Sequence, residues 1–303
     1  MLESFLASTI AMATPILLAA LGELVVEQSG VINIGIEGAM LSGAFAALVA
    51  VYFSGGMICG LVVAAAAALA VNALLAVLVI NIAVNQVVAG TALNLLVAGI
   101  TGVAYREVFG VTGRALTVRA LAPLPLGPLT RIPLLGPALF DQSPLAYLAL
   151  LLTAIVGYAI ARTRAGLRLR ACGEHPEAAA ALGINVYRMR WTALLFAGVL
   201  SGLGGAYLTL VYTNTFVEGI TGGRGFVALA LVIIGRWRAW GIAAAALLFG
   251  AAMALQFTLQ ATVTNLPYQL FLALPYLLTL LVLALMSGQA AAPSALGRSY
   301  LRE

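Results

Sequence analysis

The stretch MICGLVVAAAAALAVNALLAVLVI, residues 57–80, contains no charged side chain. About 20 apolar residues are enough to cross the hydrocarbon core of a bilayer as a helix, and a helix satisfies its own backbone hydrogen bonds where lipid offers no partner. This stretch therefore predicts a transmembrane helix. Comparable apolar stretches lie on both sides of it, near residues 4–22, 31–53, 86–105, 143–161, 191–212, 225–235, 241–262 and 268–287.

These stretches predict an all-α, polytopic membrane protein with eight or nine transmembrane helices, some of them broken or re-entrant. The stretch 225–235 is short and follows glycines, so we expect it to be re-entrant or half-buried. Composition agrees, because 63% of the 303 residues are hydrophobic, only 8% are charged and the mean hydropathy is +1.09. A soluble domain carries about 25% charged residues. We expect residues 1–303 to form a single transmembrane domain in the lipid bilayer, without a nucleic acid partner.

The charged residues exclude several kinds of chemistry. All 15 basic residues are arginines, whereas the phosphate-binding loop of an ATPase and Schiff-base catalysis both need a lysine. Cys59, Cys172 and His175 are too few for a structural metal site, and we expect both cysteines to be free. His175 also lacks neighbours that would form a nucleophile and base pair. The sequence thus predicts no enzyme activity, no metal and no cofactor.

The distribution of arginine predicts the orientation. Arginines cluster in the segment 162–190, and short loops rich in arginine are retained in the cytoplasm. Four more arginines would lie on the same side, namely Arg236, Arg238, Arg298 and Arg302. We therefore expect a multi-pass protein of the cell membrane with a cytoplasmic loop at 162–190 and a cytoplasmic C terminus.

The segment 106–142 would then be extracytoplasmic, and its repeated prolines forbid a continuous helix. This segment carries four arginines against the general trend, namely Arg106, Arg114, Arg119 and Arg131. Two interpretations remain open. The arginines either belong to an ordinary solvated loop or form a docking surface for an acidic partner.

The loop RACGEHPEAAAALGINVYRMR, residues 170–190, predicts a short surface helix. Pro176 can open the helix, Glu174 and Glu177 favour its positive N-terminal end, and Gly183 can close it. The body of the helix is alanine, so it has no wide apolar face for lipid, and its small side chains permit close approach of another protein. A simple helical connector is the alternative.

This loop resembles the coupling-helix loop of ABC importer permeases in the branched-chain amino acid and simple-sugar permease family. Three further stretches resemble the nucleoside or purine-type branch of that family, and in particular the second of its two homologous permeases. They are GELVVEQSGVINIGIEGAMLSGAFAA at 22–47, NQVVAGTALNLLVAGIT at 85–101 and GRGFVALALVIIGRW at 223–237. One departure is RWRAW at 236–240, where the branch often has a proline after the tryptophan.

The resemblance implies a permease domain that works with several partners. These are two ATPase subunits on the cytoplasmic side, a second homologous permease subunit and an extracytoplasmic substrate-binding protein. Any ATP would be consumed by the partner subunits. By motif position, the residues implied to contact the ATPase are Gly173, Glu174, His175, Pro176, Glu177, Ala178, Ala179 and Gly183.

Polar residues inside the spans are candidates for the substrate pathway, because a charge at the bilayer centre is costly and usually faces a cavity or a partner. Glu37 is the main candidate, and Asn33 lies four residues earlier, on the same face of an expected helix. Asn85, Gln86 and Asn94 carry amides that could bind a substrate or simply join helices. Glycines around Glu37 would permit close packing or a break in the helix.

Four other charged residues have expected positions. Glu23 and Glu27 lie near the predicted cytoplasmic end of the first span, where we expect them to be solvated. Glu218 and Arg224 flank a glycine-rich turn and are candidates for an ion pair at the outer mouth.

Together these features predict the membrane-spanning permease subunit of an ATP-driven importer for nucleosides or purines, working by alternating access. The nearest alternative is a permease of the same family for simple sugars or branched-chain amino acids. An ion-coupled secondary transporter or channel is the alternative from a different class. It would be expected to carry an array of carboxylates in the membrane, and Glu37 is a thin basis for such an array.

Overall fold

The computed structural model describes residues 2–110, 117–125, 127, 130, 132, 135–262, 267–286 and 292–300. Twelve α-helices occupy most of this part of the chain. They are α1 (Leu2–Gln28), α2 (Ile36–Ser54), α3 (Met57–Ala76), α4 (Gln86–Phe109), α5 (Leu135–Phe140), α6 (Pro144–Arg162), α7 (Arg164–Glu174), α8 (Pro176–Ala181), α9 (Val186–Tyr207), α10 (Arg224–Ile234), α11 (Ala239–Thr262) and α12 (Tyr268–Met286).

The all-α prediction is confirmed. Helices α3 and α9 each continue into a π-helical turn, at Val77–Asn81 and Leu208–Tyr212. With these turns included, seven helices within the described ranges are long and apolar enough to cross a membrane, and α10 and α12 are shorter apolar helices. The only strands in the same ranges are β1 (Leu124–Pro125) and β2 (Asp141–Gln142), which pair antiparallel.

Local signals in the sequence set several helix starts. Ser143 and Asn185 accept hydrogen bonds from backbone N–H groups in the first turns of α6 and α9, as N-cap residues do. Pro144 and Pro176 occupy the first helical positions of α6 and α8, where the missing N–H group of proline has no helical partner to lose. Helices α6, α8 and α9 therefore begin where local sequence rules place them.

Helix α1 forms the centre of the bundle and is almost completely buried from Ala13 to Glu27. It packs against α9 and α11, while α9 packs against α1 and α3. The contacts depend on small residues. A Cβ atom on Gly43 would lie 2.6 Å from the Cα of Gly202, which is closer than real contacts allow. The expectation that glycines around Glu37 permit close helix packing is thus confirmed at Gly43.

Two breaks interrupt the long helices in a related way. Helix α1 ends at Gln28, and the non-helical residues 29–35 lead into α2. Helix α9 and its π turn end at Tyr212, and the irregular residues 213–223 lead into α10. Because α1 and α9 run antiparallel, with Gly22 beside Ala197 and Gly204 beside Pro15, the two halves have the pattern of an inverted repeat.

The bounds of the first two spans differ from the prediction. The first span was expected to end at residue 22, but α1 continues to Gln28 because Glu23 and Glu27 are buried within the bundle. The second span was expected from residue 31, but α2 begins at Ile36, after the first break. Gln28 and Gly173 lie against each other at one end of the bundle. We call this end the Arg-rich end.

Candidate functional site

The two breaks meet at Glu37. Its carboxylate accepts a hydrogen bond from the Gly223 backbone N–H at Oε1 (2.8 Å) and another from the Gly225 N–H at Oε2 (2.7 Å). The first N–H groups of a helix have no helical partner and carry the positive end of the helix dipole. Glu37, in the first turn of α2, therefore caps the N-terminus of α10. The absence of a side chain on Gly225 is required, because a Cβ there would lie 2.7 Å from the Cα of Glu37.

Two amides from α4 hold the first break. Asn94 donates from Nδ2 to the carbonyl of Ile34 and accepts at Oδ1 from the Gly38 N–H, both at 2.8 Å. Gln86 accepts from the Ile32 N–H at 2.8 Å. Backbone groups that leave a helix inside a bundle need other partners. Asn94 and Gln86 thus hold the break open, which agrees with the interpretation that these amides join elements of the protein.

The other two amides make no hydrogen bond to Glu37 among the described residues. Asn85 caps α4 by accepting from the N–H groups of Val87 and Val88. Asn33 is fully buried and precedes α2, so the expectation that Asn33 and Glu37 share a helical face is wrong. The glycine-containing break starts the helix five residues later than expected. The backbone N–H of Asn33 donates to Glu23 Oε1 at 2.9 Å.

The expectation that Glu23 and Glu27 are solvated is also wrong. Both are buried, with relative exposures of 0% and 3%. Glu23 bonds the first break through Asn33, and Glu27 accepts a 2.6 Å hydrogen bond from the indole N–H of Trp237. The partners come from residues 10 and 210 positions away, so the local sequence did not indicate them. These carboxylates fix the end of α1 to the break and to the turn after α10.

Glu218 was expected to pair with Arg224, but in the structure it pairs with Arg106. Arg106 Nε lies 3.0 Å from Glu218 Oε1, and both side chains are about half exposed. The Arg224 guanidinium instead donates from Nη1 to the carbonyls of Ile220 and Thr221, each at 3.1 Å. The last turn of α4 reaches the second break, which brings Arg106 to Glu218.

Among the other arginines of the segment 106–142, Arg119 is exposed. Arg114 and Arg131 lie outside the described residues. Of the four arginines, Arg119 is thus the one that is exposed and forms no ion pair with another described residue.

Helix α8 and its flanks form an exposed surface at the Arg-rich end. Pro176 and Ala179 are buried beneath it, and Gly173 is buried against the carbonyl of Gln28. The helix closes at Gly183, which has φ +82°, and the Ile184 N–H donates to the carbonyl of Ala179. The exposed residues, which we call the α8 surface, are Glu174, His175, Glu177, Ala178, Ala181, Leu182 and Gly183.

Leu182 is a feature that the sequence analysis missed. Its side chain is 83% exposed, the highest value among the large exposed hydrophobic residues of the described chain. Exposed apolar side chains that adjoin one another are typical of a protein contact, and the exposed alanines Ala178 and Ala181 belong to the same short segment as Leu182. Its position directly before the helix-closing glycine is the signal that could have identified it.

The α8 surface rests on a small core that includes the C-terminal segment. Cys172, Ala179 and Val186 are buried together, and Tyr300 packs against them. Burial raises the pKa of the Cys172 thiol, and both cysteines are free as expected. Helix α8 thus packs on an apolar core to which the segment 292–300 contributes Tyr300.

Hydrogen bonds connect this core to the first break. Ala295 N–H donates to the Gly173 carbonyl at 2.9 Å, and Gly297 N–H donates to the Gly30 carbonyl at 3.0 Å. Arg190, at the start of α9, donates from Nε to the Ser29 carbonyl at 3.2 Å. A displacement of α8 would therefore be transmitted to the end of α1 and to the start of the first break.

The chain is similar to known permeases over most of its length. The family described as branched-chain amino acid transport system / permease component matches residues 5–283. The nucleoside ABC transporter permease protein NupC of Lactococcus lactis is 33% identical over 99% of this chain and 98% of its own length. The guanosine ABC transporter permease protein NupQ of Bacillus subtilis is 34% identical over 97% of this chain and 95% of its own length.

The name of a third relative gives a different transported substrate. The putative glucose ABC transporter permease protein TsgC13 of Haloferax volcanii is 35% identical over 98% of this chain and 97% of its own length. No solved structure matches the chain. The family match covers most of the chain, and the relatives match it from end to end. The chain belongs to the branched-chain amino acid transport system permease family, whose members are transporter components and not enzymes.

Proposed function

We propose that this chain is the membrane-spanning permease subunit of an ATP-driven importer of nucleosides, most closely of the purine type. Two full-length relatives named as nucleoside and guanosine permeases support this cargo. ATP would be hydrolysed by separate ATPase subunits, so the chain itself needs no cofactor. Transport would proceed by alternating access around the two breaks that meet at Glu37.

The observation that carries the proposal is the continuous set of contacts from α8 to the first break. Gly173 lies against Gln28, and Arg190 bonds the carbonyl of Ser29. An ATPase bound to the α8 surface would push on this unit and so move the end of α1 relative to α2. The residues that form or support this contact would be Gly173, Glu174, His175, Pro176, Glu177, Ala178, Ala179 and Gly183.

The orientation follows from the same proposal. The Arg-rich end, with the segment 162–190 and the C terminus, would face the cytoplasm, where short arginine-rich loops are retained. The segment 106–142 would then face outward and meet a substrate-binding protein. Arg106, Arg114, Arg119 and Arg131 are the proposed docking residues, although Arg106 would first have to leave Glu218 or share it.

The pathway would run beside the breaks, close to Asn33, Glu37, Asn85, Gln86 and Asn94. Glu37, Gln86 and Asn94 use their side chains on backbone groups, so their contribution is to hold the breaks in place. A second, homologous permease subunit would complete the pathway. Large apolar side chains are exposed along α3 and α4, for example Ile58 and Leu95, and would contact lipid or that subunit.

The test is uptake by the assembled transporter in proteoliposomes. The chain would be reconstituted with its second permease, ATPase subunits and binding protein, and import of radiolabelled guanosine, glucose and leucine would be measured with and without ATP. We expect ATP-dependent import of guanosine. Import of glucose or leucine alone would assign the chain to another cargo of the same family. Import driven by an ion gradient in the absence of the ATPase would instead favour the secondary transporter or channel.

A further inference from the structure

A cavity of about 180 Å³ lies between α10, α11 and α12. Its polar lining residues come from all three helices and are Arg224, Gln256 and Tyr276. Phe249 and Phe257 add aromatic rings from the same face of α11, and the Tyr276 ring lies edge-on to Phe249, with the centroids 6.4 Å apart. The cavity combines one cation, one amide and several rings at the second break.

Gln256 supplies the amide of this cavity. The residue is only 5% exposed, and it lines the cavity together with Phe249 and Phe257 of the same helix. A glutamine amide can both donate and accept hydrogen bonds. Gln256 therefore offers both kinds of hydrogen bond to a molecule held in the cavity.

Arg224 also has donors to spare. Its Nη1 bonds the carbonyls of Ile220 and Thr221, whereas Nε and Nη2 have no recorded partner within the described ranges. The two bonds from Nη1 fix the position of the guanidinium. Its central carbon, Cζ, lies 5.9 Å from the centroid of the Tyr212 ring. The remaining N–H groups are therefore held in place without being used.

The position of the cavity argues that it faces a passage and not lipid. Arg224 begins α10, next to the backbone groups that Glu37 caps, and all three lining helices are apolar. A charged side chain at membrane depth normally faces a water-filled cavity or another protein. Tyr276 and Phe257 are partly exposed at the rim, 52% and 43%, so the cavity opens to the side of the chain.

The hydrogen-bonding groups of Arg224 and Gln256 determine which groups a ligand in this cavity must present. A guanidinium has only donors, so it pairs with two neighbouring acceptors, as O6 and N7 of guanine present them. Adenine presents an amino donor in place of O6, which opposes the N–H groups of arginine. Glutamine can donate and accept, and aromatic rings stack on any base.

Resting on the proposed nucleoside import, we infer that this cavity binds the base of an oxopurine nucleoside, with Arg224 at the O6 and N7 edge. Gln256 bonds a second edge of the base, and the rings of α11 and α12 hold its faces. The volume is below the range of about 300 Å³ and more that encloses a drug-sized ligand. The cavity thus encloses the base and leaves the ribose outside.

The test compares guanosine with 7-deazaguanosine, which keeps O6 and lacks the N7 acceptor. Uptake of both, and of adenosine, would be measured in proteoliposomes with the complete transporter containing wild-type chain, Arg224→Gln or Arg224→Lys. We expect the wild type to prefer guanosine over 7-deazaguanosine by about five- to a hundredfold, as a bidentate arginine contact allows. Both variants should lose most of this preference while adenosine uptake changes less than that of guanosine.

The design separates the permease from its binding protein. The same binding protein is used throughout, so its own selectivity cancels when the preference of a variant is divided by that of the wild type. An unchanged preference in both Arg224 variants would overturn the inference, as would an equal loss of all three nucleosides. A wild-type transporter that imports no nucleoside would instead overturn the proposed function itself.

Gln256 provides a second variant that leaves Arg224 intact. Gln256→Leu should reduce guanosine uptake, whereas Gln269→Leu, the same change at an exposed position in the first turn of α12, should leave it within about twofold, because Gln269 does not line the cavity. Equal effects of the two substitutions would contradict a specific role for the Gln256 amide.

Discussion

Glu37 and Gly225 are joined by a 2.7 Å hydrogen bond across 188 residues of sequence. This bond and its neighbour at Gly223 make a side chain of α2 the cap of α10. The junction couples the two breaks, because neither half-helix can shift along its axis without losing these contacts. Alternating access at this point would require the two half-helices to move together or the cap to open.

Replacing Glu37 should destabilise the protein. Glu37→Ala would leave two N–H groups of α10 without partners, and each unsatisfied buried donor costs about 1–3 kcal/mol. Glu37→Gln retains one acceptor oxygen, so its effect should be smaller. Thermal unfolding in detergent, followed by loss of monodisperse protein, measures both. Glu3→Ala, at the exposed start of α1, is the matched control, and equal midpoints for all three variants would argue against a structural cap.

Leu182→Asp should weaken the contact with the ATPase subunits without affecting membrane insertion. Burying a leucine side chain contributes about 1.5–3 kcal/mol, so affinity should fall about tenfold or more. The measurement is copurification of the ATPase with the tagged chain, together with ATPase activity. Leu139→Asp makes the same change on α5, a helix that packs against α1 away from the α8 surface, and should leave copurification intact. If Leu182→Asp retains full ATPase binding, the α8 surface is not the contact.

The structure also separates two positions on α8 that look alike in sequence. Ala178 is exposed and Ala179 is 2% exposed above Cys172 and Val186. A bulky residue at Ala178 should therefore block the ATPase in a folded protein, whereas Ala179→Trp should disturb the supporting core first. Size-exclusion profiles of the two tryptophan variants distinguish them, and a monodisperse Ala179→Trp protein that still fails to bind ATPase would contradict this assignment.

The sequence predicted those features that depend on local rules, namely the apolar spans, the helix opened by Pro176 and the turn closed by Gly183. Features that depend on distant partners were not predictable. Glu23 and Glu27 looked solvated because charge near a helix end normally is, but Asn33 and Trp237 pair with them across the bundle. The roles of Asn94 and Gln86 likewise depend on where residues 29–35 leave the helix, and hydropathy does not reveal that position.

Arg119→Glu should weaken docking of the substrate-binding protein if the segment 106–142 faces outward and meets an acidic surface. Exposed charge contacts act mainly on the association rate and weaken with salt. Binding of the loaded protein to the transporter in nanodiscs should therefore fall at low ionic strength and differ less at high salt. Arg298→Glu, the same exposed change at the Arg-rich end, is the control. Equal binding by both variants at low salt would identify Arg119 as an ordinary loop residue.

Cys172 reports on the C-terminal segment, because its thiol is buried beside Tyr300. Burial raises its pKa above the usual value, so at any pH near 8 a smaller fraction is thiolate than in an exposed cysteine, and only the thiolate reacts. In a Cys59→Ser background, alkylation of Cys172 should be slow at pH 7.5 and should accelerate as pH rises beyond 9.

Tyr300→Ala should speed labelling of Cys172 at every pH, because it removes the side chain that covers the thiol. Leu296→Ala, in the same segment but outside this buried cluster, is the matched control. Rapid labelling of Cys172 at pH 7.5 with Tyr300 intact would show that residues 292–300 do not seal the core beneath α8, and the proposed transmission from α8 to Gly30 would lose that support.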